Sequence, residues 1–288
     1  MKKILITGSS GLLGSSLTRR LNNKVYKIFK FKRNKEFDLS KYNFCLNFLK
    51  KNNFYAIVNL SAITNIDNCE KNHRIAKKVN YIIVKNLCRS INSLNLKTYL
   101  IQFSTDQFYN DFNKNSEIVK KYKNYYTKTK LLAEGECLNS NAIILRTNFS
   151  GKSLSRGRSS FSDWIYDNLS KNIKIKLADD IFFSPLSIQT LCSIIKIILK
   201  KKVKGIFNVG SKKGYSKYIF GFKFAKKLNL DTNLIKKVNY KDIKFFANRN
   251  KDMRMVLKKF ENKFKYKFNS LDHELLKISN DYKRKNKL

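Results

Sequence analysis

The sequence predicts an α/β protein built on a doubly wound parallel sheet (Rossmann-type), and three observations carry that prediction. An apolar run at the N-terminus ends in glycines at 8, 11 and 14 and passes into a helical pattern. Through the first half, short apolar runs alternate with helix-length amphipathic stretches, as repeated β-α-β units require. Several of those runs, such as Ala56-Ile-Val-Asn-Leu60 and Ala142-Ile-Ile-Leu145, are almost unbroken. Unbroken apolar strands suit a parallel sheet covered by helices on both faces.

The first strand is expected at 3–7, leading through Gly8-Ser-Ser-Gly11-Leu-Leu-Gly14 into a helix over 12–22. Gly8 and Gly11 would let the backbone turn tightly and approach a dinucleotide pyrophosphate. Gly14 would let the helix pack on the sheet while its first N–H groups face the phosphates. A glycine turn of purely structural purpose is the competing reading. Further strands are expected at 24–31, 56–60, 97–104 and 142–146, and helices at 40–51, 74–94 and 125–139. Beyond about residue 150 the pattern becomes irregular, with a basic Ser-rich loop over 153–160, a helix near 161–171 and a strand near 205–209. The expected division is a dinucleotide-binding domain over 1–150 and a smaller substrate lobe over 151–288, interleaved with the sheet and closing over its C-terminal edge.

Composition narrows the function classes. A chain of 288 residues with 42% hydrophobic side chains can bury a large core. It has no run of eighteen uncharged apolar residues, and Met1-Lys-Lys leads straight into the first strand. These features predict a cytoplasmic protein with no membrane partner. Five scattered cysteines without a C-x-x-C pair predict reduced thiols and no metal site, and two histidines are too few for most imidazole chemistry. The net charge of +41 would suit nucleic acid. The lysines are spread over the whole chain, however, amid a bias that follows AT-rich codons, and no helix-turn-helix, zinc-finger or RNP-like pattern accompanies them. No nucleic-acid partner is therefore expected, although the positive field would attract an anionic nucleotide.

The candidate chemistry lies in Tyr126-Thr-Lys-Thr-Lys130. A four-residue offset puts Tyr126 and Lys130 on one helical face. There the ammonium is expected to lower the phenol from its ordinary pKa of about 10 and make it a competent proton donor. Tyr-x-x-x-Lys also arises by chance in so Tyr- and Lys-rich a chain, so its position relative to other motifs decides. Upstream, Thr98-Tyr-Leu-Ile-Gln-Phe103 ends in Ser104-Thr105-Asp106, which delivers a hydroxyl to the C-terminal end of a central strand. Asn59-Leu-Ser-Ala62 ends the preceding strand, where small side chains would allow close packing against a nicotinamide nucleotide. Trp164 is expected in the core.

Taken together, these segments resemble the dTDP-4-dehydrorhamnose reductase family of the extended short-chain dehydrogenase/reductase superfamily, over almost the whole chain. The matching segments are the glycine turn; Asp38-Leu39; Asn59-Leu-Ser-Ala-Ile-Thr64-Asn-Ile-Asp67-Asn-Cys-Glu70; Ser104-Thr-Asp106 with Tyr109; Asn124-Tyr-Tyr126-Thr-Lys-Thr-Lys130-Leu; and Leu145-Arg-Thr-Asn-Phe-Ser-Gly151. The chain departs from the family pattern at Leu60 and Ser61, where alanines are usual, and at Thr127, which replaces a glycine. Phe149 stands in place of a substrate-side tryptophan, and the usual proline near 122 is missing.

The resemblance implies NAD(P)H-dependent reduction of a 4-keto-6-deoxy sugar nucleotide, most like dTDP-4-dehydrorhamnose reduction in surface polysaccharide biosynthesis. Thr105, Tyr126 and Lys130 would be catalytic. Gly8, Gly11, Leu12, Leu13, Gly14, Lys30, Arg33, Asp38, Leu39, Leu60, Ser61, Ala62, Thr64, Phe103, Tyr126 and Lys130 would hold the cofactor. Thr105, Asp106, Gln107, Asn148, Phe149 and Arg158 would face the substrate, with Arg156 a further candidate for its diphosphate. Lys30, Lys32 and Arg33, at the end of the second strand, favour the 2′-phosphate of NADPH, with NADH left open. Related sugar-nucleotide dehydratases resemble Thr-Asp-Glu where this chain reads Thr105-Asp106-Gln107, and a neutral amide cannot do that acid–base work. An epimerase or another reductase of the superfamily, or a noncatalytic nucleotide-binding subunit, stays open, as does a homodimer.

Overall fold

The computed structural model describes residues 1–21, 24–32, 37–111, 114–118, 121–155 and 157–283. The N-terminal apolar run forms β1 (Lys2–Thr7), buried from Ile4 onward. It is followed by α1 (Leu12–Leu21), β2 (Tyr26–Lys30), α2 (Tyr42–Lys51) and β3 (Ala56–Asn59). The helix expected over 74–94 has more structure than its periodicity shows. A short α3 (Ile66–Lys71) ends at Asn72, whose side chain accepts the Ile75 N–H and so caps α4 (His73–Lys77). A π-helical turn at Lys78–Ile82 then leads into α5 (Ile83–Ser93). β4 (Tyr99–Phe103), α6 (Tyr125–Leu138) and β5 (Ala142–Thr147) complete the first half.

The second half alternates very short strands with long helices. β6 (Phe149–Ser150), α7 (Phe161–Leu169), β7 (Ile175–Ala178), β8 (Phe182–Phe183), β9 (Leu186–Ser187) and α8 (Ile188–Lys201) come first. They are followed by β10 (Gly205–Val209), β11 (Tyr215–Ser216), α9 (Lys217–Lys227), β12 (Ile235–Val238), α10 (Lys258–Phe264) and α11 (Leu271–Lys283).

The six-stranded sheet runs β2-β1-β3-β4-β5-β10, every neighbour parallel. The chain steps from β1 outward to β2 and then reverses to β3 on the other side. In such sheets a ligand binds where that reversal opens a crevice at the strand C-termini. The chain after residue 150 serves two cores. α8 repeats an apolar residue every three or four positions, burying Leu191, Ile194, Ile195 and Ile198 in the same cluster as Ile4, Ile6 and Val58 of the sheet. α7, α9 and α11 instead form a second core around Ile165, Leu177, Phe220, Phe224 and Leu275.

Trp164 departs from expectation. It is 41% exposed, its ring stacked beside Phe161, because α7 turns Ile165 and Leu169 inward. The Asp163 carboxylate fixes that orientation, closing the cap at Ser160 and accepting from the Tyr282 hydroxyl at 2.6 Å.

Candidate active site

The glycine turn sits at the reversal point. Gly8 has φ +61°, and a Cβ there would lie 2.8 Å from the backbone of Leu60, so the turn after β1 and the loop after β3 touch. Gly14 differs in purpose from the sequence expectation. A Cβ on it would meet the Gly8 carbonyl oxygen at 2.2 Å and Ser9 Cα at 2.8 Å. Its missing side chain therefore makes room for the turn itself rather than for the sheet. Together Gly8 and Gly14 create a bare backbone cradle at the start of α1, the surface a pyrophosphate requires.

A buried polar ladder crosses the strand ends beneath this cradle. The Thr7 hydroxyl donates to Asn59 Oδ1 at 2.5 Å, Asn59 Nδ2 donates to Gln102 Oε1 at 2.7 Å, and Gln102 Nε2 donates to the Phe103 carbonyl at 2.8 Å. Thr7 Oγ1 also accepts the N–H groups of Leu60 and Ser61. The loop beyond is held by Asn80 on the π turn, whose side chain accepts the Ile63 N–H at 2.8 Å and donates to the Ile63 carbonyl and to Thr129 on α6. Neither Asn80 nor the ladder was expected. A π turn widens the helix by one residue and aims a side chain that ordinary helical periodicity would place elsewhere.

Lys130 ends the same ladder, its ammonium donating to the Phe103 carbonyl at 2.5 Å. Burial holds it down to about 8, against the opposing charge of Glu134. Tyr126, four residues earlier on α6, lies beside Thr105, two residues past the end of β4. The expected lowering of the phenol by Lys130 is not what the structure shows. Burial raises Tyr126 above its ordinary range; the Thr105 hydrogen bond opposes this and the Asp106 charge adds to it. The ammonium is spent on a carbonyl rather than on the phenol, so Tyr126 rests firmly protonated.

Local sequence explains why α6 begins where it does. Asn124 and Thr127 form a reciprocal cap, and the Tyr125 N–H donates to Glu70 Oε2 at 2.8 Å. The departure at Thr127 is thus absorbed, its hydroxyl taking part in that cap. Two turns on, Glu134 pairs with the fully buried Arg146 of β5, Nη2 to Oε2 at 2.7 Å and Nε to Oε1 at 3.0 Å. Ser104 donates to the same carboxylate at 2.5 Å, and Arg146 Nη1 donates to Tyr109, whose hydroxyl donates to Asn208. This network fixes the β4 end against α6 and so sets the Thr105–Tyr126 spacing.

Next to Thr105, Asn148 Nδ2 donates to Asp106 Oδ2 at 2.9 Å and Gln107 Nε2 to Asp106 Oδ1 at 3.2 Å. Asp106 is 1% exposed, and burial raises its carboxyl. Phe149 is half-buried on β6, beside the sheet core. Lys217, which begins α9, and Arg249 also bear on this region. Lys217 acts electrostatically on Asp106, and Arg249 pairs with Asp67 at 2.9 Å. Both looked like background charge among 61 Lys and Arg residues. Arg158 is exposed and makes none of these contacts, while Arg156 and Arg33 lie outside the described residues. Lys30 and Lys32 are exposed at the end of β2 and just beyond it. Asp38 is buried and paired with Lys78 at 3.0 Å beside the buried Leu39. Leu13 is buried, whereas Leu12, Leu60, Ser61 and Ala62 are half-buried and Thr64 is exposed along the crevice.

Among the described residues no cluster of His, Cys, Asp and Glu could hold a metal, and no helix is long and apolar enough to cross a membrane. The profile of the family described as "RmlD substrate binding domain" matches residues 1–284. The chain belongs to the RmlD family. A probable low-salt glycan biosynthesis reductase, Agl14 of Haloferax volcanii, is 25% identical over 251 residues, 80% of this chain and 81% of that protein. Among solved structures, dTDP-4-dehydrorhamnose reductase of Bacillus anthracis in complex with NADP superposes with a TM-score of 0.88 at 21% identity, over 96% of this chain and 99% of that one. A hypothetical dTDP-4-dehydrorhamnose reductase of Sulfolobus tokodaii gives 0.81 at 26%, over 96% and 99%. A dTDP-glucose 4,6-dehydratase of Bacillus anthracis gives 0.79 at 16%, over 98% and 97%. A reductase and a dehydratase thus share this fold, so the fold alone does not separate the two activities.

Proposed function

We propose that this RmlD-family chain is an NADPH-dependent reductase of a 4-keto-6-deoxy sugar nucleotide, most like dTDP-4-dehydrorhamnose reductase. The observation that carries the reading is Lys130 anchored to the Phe103 carbonyl one turn along α6 from Tyr126, with the bare glycine cradle at the adjoining strand ends. The cradle, with Asp38 and Leu39 on one side and residues 60–64 on the other, has the form a dinucleotide needs. When bound there, the cofactor supplies a hydride to the sugar C4 carbonyl carbon. Tyr126 keeps its proton through the neutral range because burial raises the phenol, and gives that proton to the carbonyl oxygen as negative charge develops. Thr105 would orient the same oxygen, and Lys130, held on the Phe103 carbonyl, would hold the nicotinamide ribose. Hydride and proton together reduce the ketone to an alcohol. The exposed Lys30 at the end of β2 favours the 2′-phosphate of NADPH. A reaction in the cytoplasm fits these requirements.

Gln107 separates this reaction from dehydration. Its amide donates to Asp106 and has no titratable proton, so the elimination step lacks its acid–base group. The test is NADPH oxidation with dTDP-4-keto-6-deoxy sugars, alongside incubation with dTDP-glucose and oxidised cofactor. Turnover in the first and no 4-keto-6-deoxy product in the second is expected. A silent first assay, or product in the second, would overturn the assignment.

A further inference from the structure

Cys88 on α5 and Cys137 on α6 place their sulfurs 3.6 Å apart, although 49 positions separate them in the chain. Both side chains are buried, and all five cysteines are free thiols. A buried cysteine ordinarily serves as a small apolar side chain, and the other three fit that role. Among the described residues no other two cysteine sulfurs come within hydrogen-bonding distance. Burial pushes the thiols of Cys45 and Cys69 up to about 11 and that of Cys192 to about 12. Cys88 moves the other way, because the Cys137 thiol donates to it, and Cys137 is raised in turn. One sulfur thus gains thiolate character while its neighbour holds the proton.

The surroundings supply access and room to move. Cys88 lies in the middle of α5, and Cys137 is the next-to-last residue of α6. A cavity of about 590 Å³ opens at the C-terminal ends of both helices. It is lined by Ile91 and Asn92, about one turn beyond Cys88, and by Leu138, Asn139 and Ser140, which directly follow Cys137. A small oxidant in that cavity stands within about one helical turn of each thiol along its own helix. On the other side of Cys137, α6 is anchored by Glu134, which holds Arg146 and Ser104. Between this anchor and the thiol stands Gly135, with open space where a side chain would be. The last turn of α6 can therefore approach α5 by the roughly 1.5 Å that bonding requires, while the anchor keeps Tyr126 and Lys130 in place.

We propose that Cys88 and Cys137 are a reversible disulfide site: a peroxide joins the two facing sulfurs, which fastens the end of α6 to α5 and closes a covalent loop around the segment that carries Thr105, Tyr126 and Lys130. The Cys88 thiolate attacks one peroxide oxygen, the O–O bond breaks, and Cys88 becomes a sulfenic acid while the other oxygen leaves as hydroxide, which is protonated to water. The Cys137 sulfur then attacks the Cys88 sulfur, the S–O bond breaks, and the oxygen leaves with the thiol proton as a second water. Two thiols and one hydrogen peroxide thus give one disulfide and two waters, the sulfurs losing two electrons and the peroxide gaining them. A dithiol reverses the change by exchange. The site goes beyond the reductase reading and does not depend on it, since the thiols lie at the opposite end of α6 from Tyr126. Its effect is to stabilise, because the bond removes freedom from the unfolded chain over a loop of 49 positions.

The test treats the reduced protein with hydrogen peroxide, blocks the remaining thiols with iodoacetamide in denaturant, and reads the intact mass and the linked peptides. Wild type should carry three blocked thiols in place of five, with Cys88 joined to Cys137, and dithiothreitol should restore all five. The oxidised protein should melt at least about 3 °C above the reduced one. Cys137→Ala, which keeps Cys88, should form no such link and show no rise under the same peroxide, so that oxidation elsewhere is separated from the effect of the pair. Five thiols surviving peroxide in wild type, a link through Cys45, Cys69 or Cys192 instead, or a Cys88–Cys137 link that leaves the melting temperature unchanged or lower, overturns the proposal. None of these readouts uses turnover, so failure here leaves the reductase reading intact, and an inactive enzyme leaves the thiol pair to be judged by mass.

Discussion

Replacing Lys130 with methionine should abolish most turnover and yet make the unliganded protein more stable. Burial holds this amine down from 10.5 to about 8. At about 1.36 kcal/mol per pH unit, that difference corresponds to roughly 3 kcal/mol of destabilisation whenever the amine is charged. Below pH 8 both the folded and the unfolded chain carry the proton, so the full cost is present at pH 7. Between about 8 and 10.5 the folded protein has released the proton while the unfolded chain still binds it. Stability from this group therefore rises with pH across that window. Methionine occupies similar volume without charge, and the Phe103 carbonyl it abandons still accepts from Gln102 Nε2 at 2.8 Å. Urea denaturation of wild type and Lys130→Met, without cofactor, should show the variant more stable by roughly 3 kcal/mol at pH 7 and the gap nearly closed by about pH 10.5. A variant less stable than wild type at pH 7, or a gap that ignores pH, would refute the reasoning.

Other substitutions test separate parts of the site. Tyr126→Phe should lower kcat by at least about a hundredfold while NADPH affinity stays within about threefold, which single-turnover kinetics and fluorescence titration separate; near-normal turnover would remove Tyr126 as the proton donor. Gly14→Ala forces a methyl into the Gly8 carbonyl and should destabilise by about 1–3 kcal/mol with at least tenfold (~) weaker NADPH binding, whereas Gly135→Ala, on an open face of α6, should stabilise by about 0.5–1 kcal/mol. Arg146→Leu strands the buried Glu134 carboxylate and should cost about 3–5 kcal/mol in urea titrations, while the Arg146→Leu, Glu134→Leu double variant should recover much of it.

Legibility in the sequence followed periodicity. The strands and the longer helices of the first half are readable because each apolar run is long enough to show its period, whereas α3 and the π turn are not; the helix near 161–171 and the strand at 205–209 stand out similarly. The two-residue strands β6, β8, β9 and β11 carry no period at all, and they orient the second lobe. α8 has a readable apolar repeat, but it lies among these fragments, in a half that looked irregular as a whole. Tyr126, Lys130 and Thr105 were legible as motifs, while their electrostatics were not. Spacing put Lys130 on the face of Tyr126, yet the Phe103 carbonyl that takes its ammonium comes from a strand 27 residues earlier. Lys217 was hidden by composition, since one lysine turned onto Phe161 and Phe183 has no distinguishing neighbour in sequence among so many. The exposure of Trp164 is not legible from its size, because the carboxylate beside it decides which way α7 faces.

The polar ladder beneath the glycine cradle has a consequence for how the sheet is assembled. Strands β1, β3 and β4 are apolar on both faces, so sliding one past another by a residue would exchange one apolar side chain for another. Alternation cannot choose the alignment in such a sheet. Thr7, Asn59 and Gln102 occupy directly opposed positions on the three strands. A slip of one residue at either seam would set a buried amide against an aliphatic side chain and leave it without a partner, a cost of about 1–3 kcal/mol for each group. The three side chains act as a keyway that admits a single alignment, and the alignment it admits delivers Phe103 to Lys130 and Thr105 to Tyr126. A chain that pairs its strands wrongly would therefore lose the catalytic constellation and this polar cross-tie in the same step.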